Sequence, residues 1–168
     1  QAPVIDLAAR LNFPTQHPLN QSTRRNAVIA GADVILGLES ADLWGTLNSF
    51  HDQVHRTSRP IMKSDAKLIS ITAGDLYIKA NYQDFFRYTG VDVAMAADAE
   101  ATLPSLIEAV KRQVTADRKR VFQDRGSKLA AAHQRALEQA QADATYAWDA
   151  SPVSTAISNH VVSTVAPM

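Results

Sequence analysis

The 168-residue sequence predicts an α/β domain built on a parallel sheet wound by helices on both faces. Three observations carry that expectation. The apolar runs are continuous instead of alternating, as strands covered on both faces require. Segments with helical spacing lie between them, and the length allows one domain with a real core.

Taken in order, PVID (residues 3–6), ADVILGLE (32–39) and AKLISITA (66–73) read as buried strands, and VDVAMAA (91–97) as a fourth. RRNAVIAGA (24–32) is a short helix, with Asn20, Ser22 or Thr23 available to cap it. ADLWGTLNSFHDQVH (41–55) places Leu43, Leu47, Phe50 and Val54 on one helical stripe, which Gly45 weakens. The clearest helix follows residue 97: Leu103, Leu106, Ile107, Val110 and Val114 recur at helical spacing behind a cap at Asp98 or Thr102. Pro104 is then expected in the first turn, where its missing N–H costs nothing. From Asp117 the chain is rich in Ala, Gln, Lys and Arg. It reads as one long helix, or two broken at Gly126, with a thin stripe through Phe122, Leu129, Ala136, Ala140 and Ala144 and an end at Ser151-Pro152. The organisation expected is therefore an α/β domain over residues 1–116, a helical linker over 117–150 and a tail over 151–168.

Composition narrows the function classes. Lys plus Arg and Asp plus Glu both number 17, so there is no basic excess of the kind that nucleic-acid or membrane-surface binding calls for. The absence of cysteine excludes disulfides, thiolate metal sites and a cysteine nucleophile in this chain, and fits a cytoplasmic setting. No apolar run reaches the roughly 20 residues that span a bilayer. The first residues, QAPVIDLAARL, show no basic region ahead of a hydrophobic signal core. They enter an apolar run directly, and the expectation is that both ends belong to something longer.

The order QAPVID, NFPTQHPL (12–19), GADVILGLE, AKLISITAGDLYIKANY and VDVAMAADAEATLPSLIEAVKR resembles the central domain of thiamine-diphosphate-dependent enzymes of the acetolactate-synthase-like family. YAWDASPVSTA resembles the join to that family's C-terminal domain, so the likeness runs over about residues 1–156. It implies a Rossmann-like, doubly wound sheet whose first βα unit is missing here, followed by a long helical linker. It also implies a non-catalytic scaffold and subunit-contact role in a decarboxylase, lyase or carboligase acting on 2-oxo acids or related carbonyl compounds. The partners implied are a pyrimidine-binding and a diphosphate-binding domain, in a dimer or tetramer. Thiamine diphosphate and Mg would be held by those domains. The family's GDG magnesium motif does not occur here, since Gly74-Asp75 is followed by Leu76, and no catalytic or metal-binding residue carries over.

Some relatives bind FAD in this domain, and the resemblance marks Gly37, Glu39, Ser70 and Thr72 as the positions to weigh. Leu38-Glu39 stand where FAD binders show Gly-x-Arg, Ser70 and Thr72 where they tend to have Asp, and no GxGxxG is present. Glu39 would repel a diphosphate, which disfavours FAD. The alternative reading is a stand-alone FAD- or ADP-type regulatory module of the same topology. His51 and His55, spaced i, i+4, would share a helical face as in some zinc sites, but no third ligand accompanies them, and an exposed polar face is the plainer reading. His17 reads as a turn-fixing residue of the HPL loop. Trp44, with Tyr77, Tyr82, Phe85, Phe86 and Tyr88, forms an aromatic concentration suited to an interface.

Overall fold

A computed structural model describes residues 1–7, 12–52, 54, 57–74, 87–146, 149, 151 and 155, with backbone alone for Phe50, His51 and Asp52. The chain divides into two compact units, Gln1–Arg25 with Thr115–Met168, and Asn26–Val114.

The second unit is α/β. Strands β1 (Val34–Leu38), β4 (Lys67–Ile71) and β5 (Val93–Met95) form a parallel sheet in the order β1-β4-β5. This arrangement is compatible with a Rossmann-like topology, and the three strands fall inside the runs the sequence marked. The expected strand at residues 3–6, which lies in the other unit, is present only as a single parallel bridge, Val4 to Asn20. Helix α1 (Arg25–Gly31) leads into β1 and buries Ile29. The N-terminal ends of the strands are tied by charge: Lys63 meets Asp33 at 2.7 Å and Lys67 meets Asp92 at 2.8 Å. Asp92 also accepts the amide of Leu68. That bond and then Lys67 hold its carboxyl below the ordinary range, while the bond to Asp92 raises the Lys67 ammonium.

The segment 41–55 corrects the sequence reading. Helix α2 spans only Leu43–Leu47, and the chain then turns into β2 (Asn48–Asp52), which pairs antiparallel with β3 (Thr57–Pro60). One turn of helix around Gly45 has little to hold it. Asn48 ends it by donating its side-chain N–H to the Trp44 carbonyl at 2.9 Å while its own backbone is extended. The hairpin partner at 57–60 supplies ladder bonds that a longer helix would forgo, and Pro60, lacking an N–H, sits at the end of the ladder. Phe50 therefore lies on a strand, and Val54 is 84% exposed, so the stripe through Leu43, Leu47, Phe50 and Val54 does not exist.

Helix α3 (Ala99–Arg112) starts at the earlier of the two caps the sequence offered, with the Asp98 carboxylate accepting the Ala101 amide at 2.8 Å. Pro104 is not in its first turn. It is the sixth helical residue, so it deprives the Glu100 carbonyl of an intrahelical donor. Lys111 and Arg112 close the helix on the side where its dipole favours cations.

Among the described residues of unit two, the buried apolar side chains are Ile29, Leu47, Ala66, Leu68, Ile71 and Ala99. Register puts Val34, Leu36, Leu38, Ile69, Ile71, Val93 and Met95 on one sheet face. On that face Ile69 and Ile71 of β4 are shielded, whereas Lys67 at the start of β4, Val34, Leu36 and Leu38 of β1, and Val93 and Met95 of β5 are exposed.

In the first unit one helix, α4 (Ala116–Thr145), runs 30 residues without a break at Gly126, capped by Thr115 on the Arg118 amide. It ends at Thr145, before the expected Ser151-Pro152 stop. Its buried positions are Gly126, His133 and Ala144. Ala140, assigned to the stripe from sequence, is exposed, while Ala136 and Ala144 on the turns to either side are half-buried and buried. At Gly126 the only thing a Cβ would meet among the described residues is the side chain of Gln1. Gln21, 1% exposed, joins the N-terminal segment to α4 by donating to the carbonyls of Pro18 and Leu129 and accepting from Arg24.

Candidate functional site

Parallel sheets gather ligands beyond the C-terminal ends of their strands, where helix N-termini and free strand-end amides converge. In this chain that edge is formed by residues 39, 72–74 and 98–99. Leaving β1, Glu39 adopts φ 44°, the only non-glycine residue with positive φ among those described. For a side chain without local hydrogen-bonding shape this costs on the order of 1–2 kcal/mol. The chain bends here while the Glu39 amide still donates to the Ile71 carbonyl at 2.9 Å.

The strained residue is held by its carboxylate. Thr72 Oγ1 donates to Oε2 at 3.0 Å, and the Ala73 amide reaches both carboxylate oxygens at 3.1 Å. The amide of Ala99, the first residue of α3 and one of the donors a helix cannot satisfy internally, donates to Oε1 at 3.0 Å. Thr72 is itself fixed, 9% exposed, accepting the Gly74 amide at 3.1 Å. Burial alone would raise the Glu39 carboxyl, but the bonds from Ala73, Ala99 and Thr72 outweigh it and hold the group below its ordinary value of 4.5, against the opposing charge of Asp98. The carboxylate is thus stabilised by N–H and O–H dipoles at a helix N-terminus, the arrangement that elsewhere receives a phosphate.

Of the four positions singled out from sequence, the structure brings Glu39 and Thr72 into direct contact. Gly37 and Ser70 are paired neighbours inside the sheet, below the edge. Gly37 makes room for a side chain: a Cβ there would lie 3.2 Å from Leu43 Cδ1. The residues that sequence reasoning missed are Ala73 and Ala99, which act through backbone amides and leave no mark in residue type. The one available signal was the cap offered at Asp98 or Thr102, of which the structure uses Asp98.

The other candidates resolve separately. His17 Nδ1 accepts the Leu19 amide at 3.1 Å and its ring meets Phe13 edge-on, so it shapes the HPL turn. His51 is on β2 instead of a helix, so the shared helical face with His55 is lost; His55 lies outside the described residues, as do Tyr77, Tyr82, Phe85, Phe86 and His160. Trp44 carries the Arg87 guanidinium 4.8 Å from its ring centroid. His133 is buried, with no partner for Nε2 among the described residues. No group of three His, Asp or Glu side chains able to hold a metal occurs among the described residues. No helix among the described residues is long and apolar enough to cross a membrane.

Comparison with protein-family models, with curated proteins and with solved structures gave no match.

Proposed function

We propose that this chain is the central, non-catalytic α/β domain of a thiamine-diphosphate- and Mg-dependent enzyme resembling acetolactate synthase. In this reading it serves as scaffold and subunit contact. The parent would be a decarboxylase, lyase or carboligase of 2-oxo acids, in which the cofactor, held by the pyrimidine- and diphosphate-binding domains, supplies carbonyl addition and C–C bond cleavage. The chain's own residues contribute the sheet and the surfaces that other domains cover.

The observation that carries a contact role is the incompletely covered sheet. Parallel strands are stable when both faces are buried. Here Val34 is 59% exposed, Val93 47% and Met95 41%, all on one face. Ile107 and Val110 on α3 are also open, at 48% and 51%. Apolar surface of this kind marks sites of association. The co-linear sequence motifs supply the family, and the reading depends on them.

The experiment compares the full-length gene product with the 168-residue chain. Thiamine-diphosphate- and Mg-dependent turnover of a 2-oxo acid by the former and none by the latter supports the reading. Absence of turnover from both, with saturable ADP or FAD binding by the chain, would replace it with a nucleotide-binding module.

A further inference from the structure

The Glu39 carboxylate is set in a cradle whose donors come from two separate elements, the end of β4 and the start of α3, and it reaches them from the end of a third, β1. Three features together ask for an explanation. Glu39 holds a left-handed backbone that glycine would adopt without cost. Its two oxygens accept from Thr72, Ala73 and Ala99, so the edge's free donors converge on one anion. The Asp98 carboxylate, beside it, adds repulsion and is itself engaged with the Ala101 amide. A glutamate that merely faced solvent would need none of this geometry.

We infer that Glu39 is a resident anion: its carboxylate occupies the position at which doubly wound domains take a phosphate, latching β1, β4 and α3 together and closing that edge to external anions. The latch does for the fold what a bound ligand's phosphate does in a nucleotide-binding relative of the same architecture. It neutralises the α3 N-terminus and satisfies the Ala73 and Ala99 amides without a second molecule. A diphosphate approaching this edge would have to displace a covalently attached competitor and meet Asp98 as well. Glu39 is therefore a specificity-determining residue by exclusion. This inference rests on the geometry of the edge and holds whether or not the parent is a thiamine-diphosphate enzyme.

Chemical rescue tests it on the full 168-residue chain. Glu39→Gly keeps the backbone conformation comfortable while emptying the cradle, and formate or inorganic phosphate is the probe, with chloride at matched ionic strength as reference. The expected result is a lowered melting temperature for the variant, restored saturably by formate or phosphate, with binding at least about tenfold tighter than to the natural chain, a difference of roughly 1.4 kcal/mol. A variant as stable as the natural chain, or one that responds to formate no differently from it, overturns the inference. Should the glycine chain fail to fold, the natural chain decides by NMR. The Ala73 and Ala99 amide protons must shift together along the titration of the Glu39 carboxyl, and amides indifferent to that titration overturn the inference equally.

Discussion

Glu39 shows how far one residue's chemistry can depart from its type. As an exposed carboxylate it would titrate near 4.5; bonded to three donors it ionises more readily. The sign of its linkage follows. Because the folded value lies below the unfolded one, the contribution to stability is complete above about pH 4.5 and is lost as pH falls through the folded value. Glu39→Gln is expected to remove that part of the acid sensitivity, seen as a shallower fall of unfolding free energy between neutral and acid pH in urea titrations. Thr72→Val, which keeps the shape and deletes the hydroxyl, is expected to cost about 1–2 kcal/mol, since it breaks a bond to a charged acceptor and strands the Gly74 amide. An unchanged urea midpoint for Thr72→Val would mean that water replaces the hydroxyl without loss. Glu39 was legible from sequence as an unsuitable neighbour for a diphosphate. That it would turn inward was not, since the donors that draw it are backbone amides brought near by strand pairing.

Among the elements, α3 and α4 were readable because their signals are local. An N-cap followed by apolar residues at helical spacing selects a helix with little help from elsewhere; Asp98 was one of two caps the sequence offered, while Thr115, which caps α4, carried no signal that was singled out. Asp98→Ala is expected to lower stability by about 1 kcal/mol in chemical denaturation. Gly126→Ala has two opposed effects. The new Cβ meets the Gln1 side chain, but that side chain is the exposed, flexible end of the N-terminus and can swing away. Helix propensity favours alanine by about 1 kcal/mol, so the variant is expected to gain roughly 0.5–1 kcal/mol, measured as a raised melting temperature. The β2–β3 hairpin was unreadable for the converse reason. Its first strand passes for a helical stripe in isolation, and only pairing with residues 57–60 makes the extended state the better one.

For the chain as a whole, the apolar face of the sheet is the feature with the widest consequences. Leu36 is 41% exposed on β1, and Val93 47% exposed on β5. Replacing Leu36 by Gln should change the stability of the 168-residue chain by no more than about 0.5 kcal/mol, since the site is already half in water. In a full-length product whose other domains cover this face, the same change should cost about 1–3 kcal/mol and weaken assembly, seen by analytical ultracentrifugation. Equal effects in both settings would argue that nothing covers the face.

By itself, the sequence determined the α/β class, the positions of three sheet strands, a helix behind Asp98 or Thr102 and a helical segment from Asp117, because each is encoded in neighbouring residues through burial periodicity and caps. Tertiary structure alone decided the conversion of residues 48–52 to strand, the interior position of Pro104 in α3, the burial of Gly126 and His133 in place of Ala140, and the closure of the sheet edge by Glu39. Each of these depends on a partner distant in sequence or on where an element settles in the folded chain. Backbone donors and packing neighbours carry no residue-type signature until the chain has folded around them.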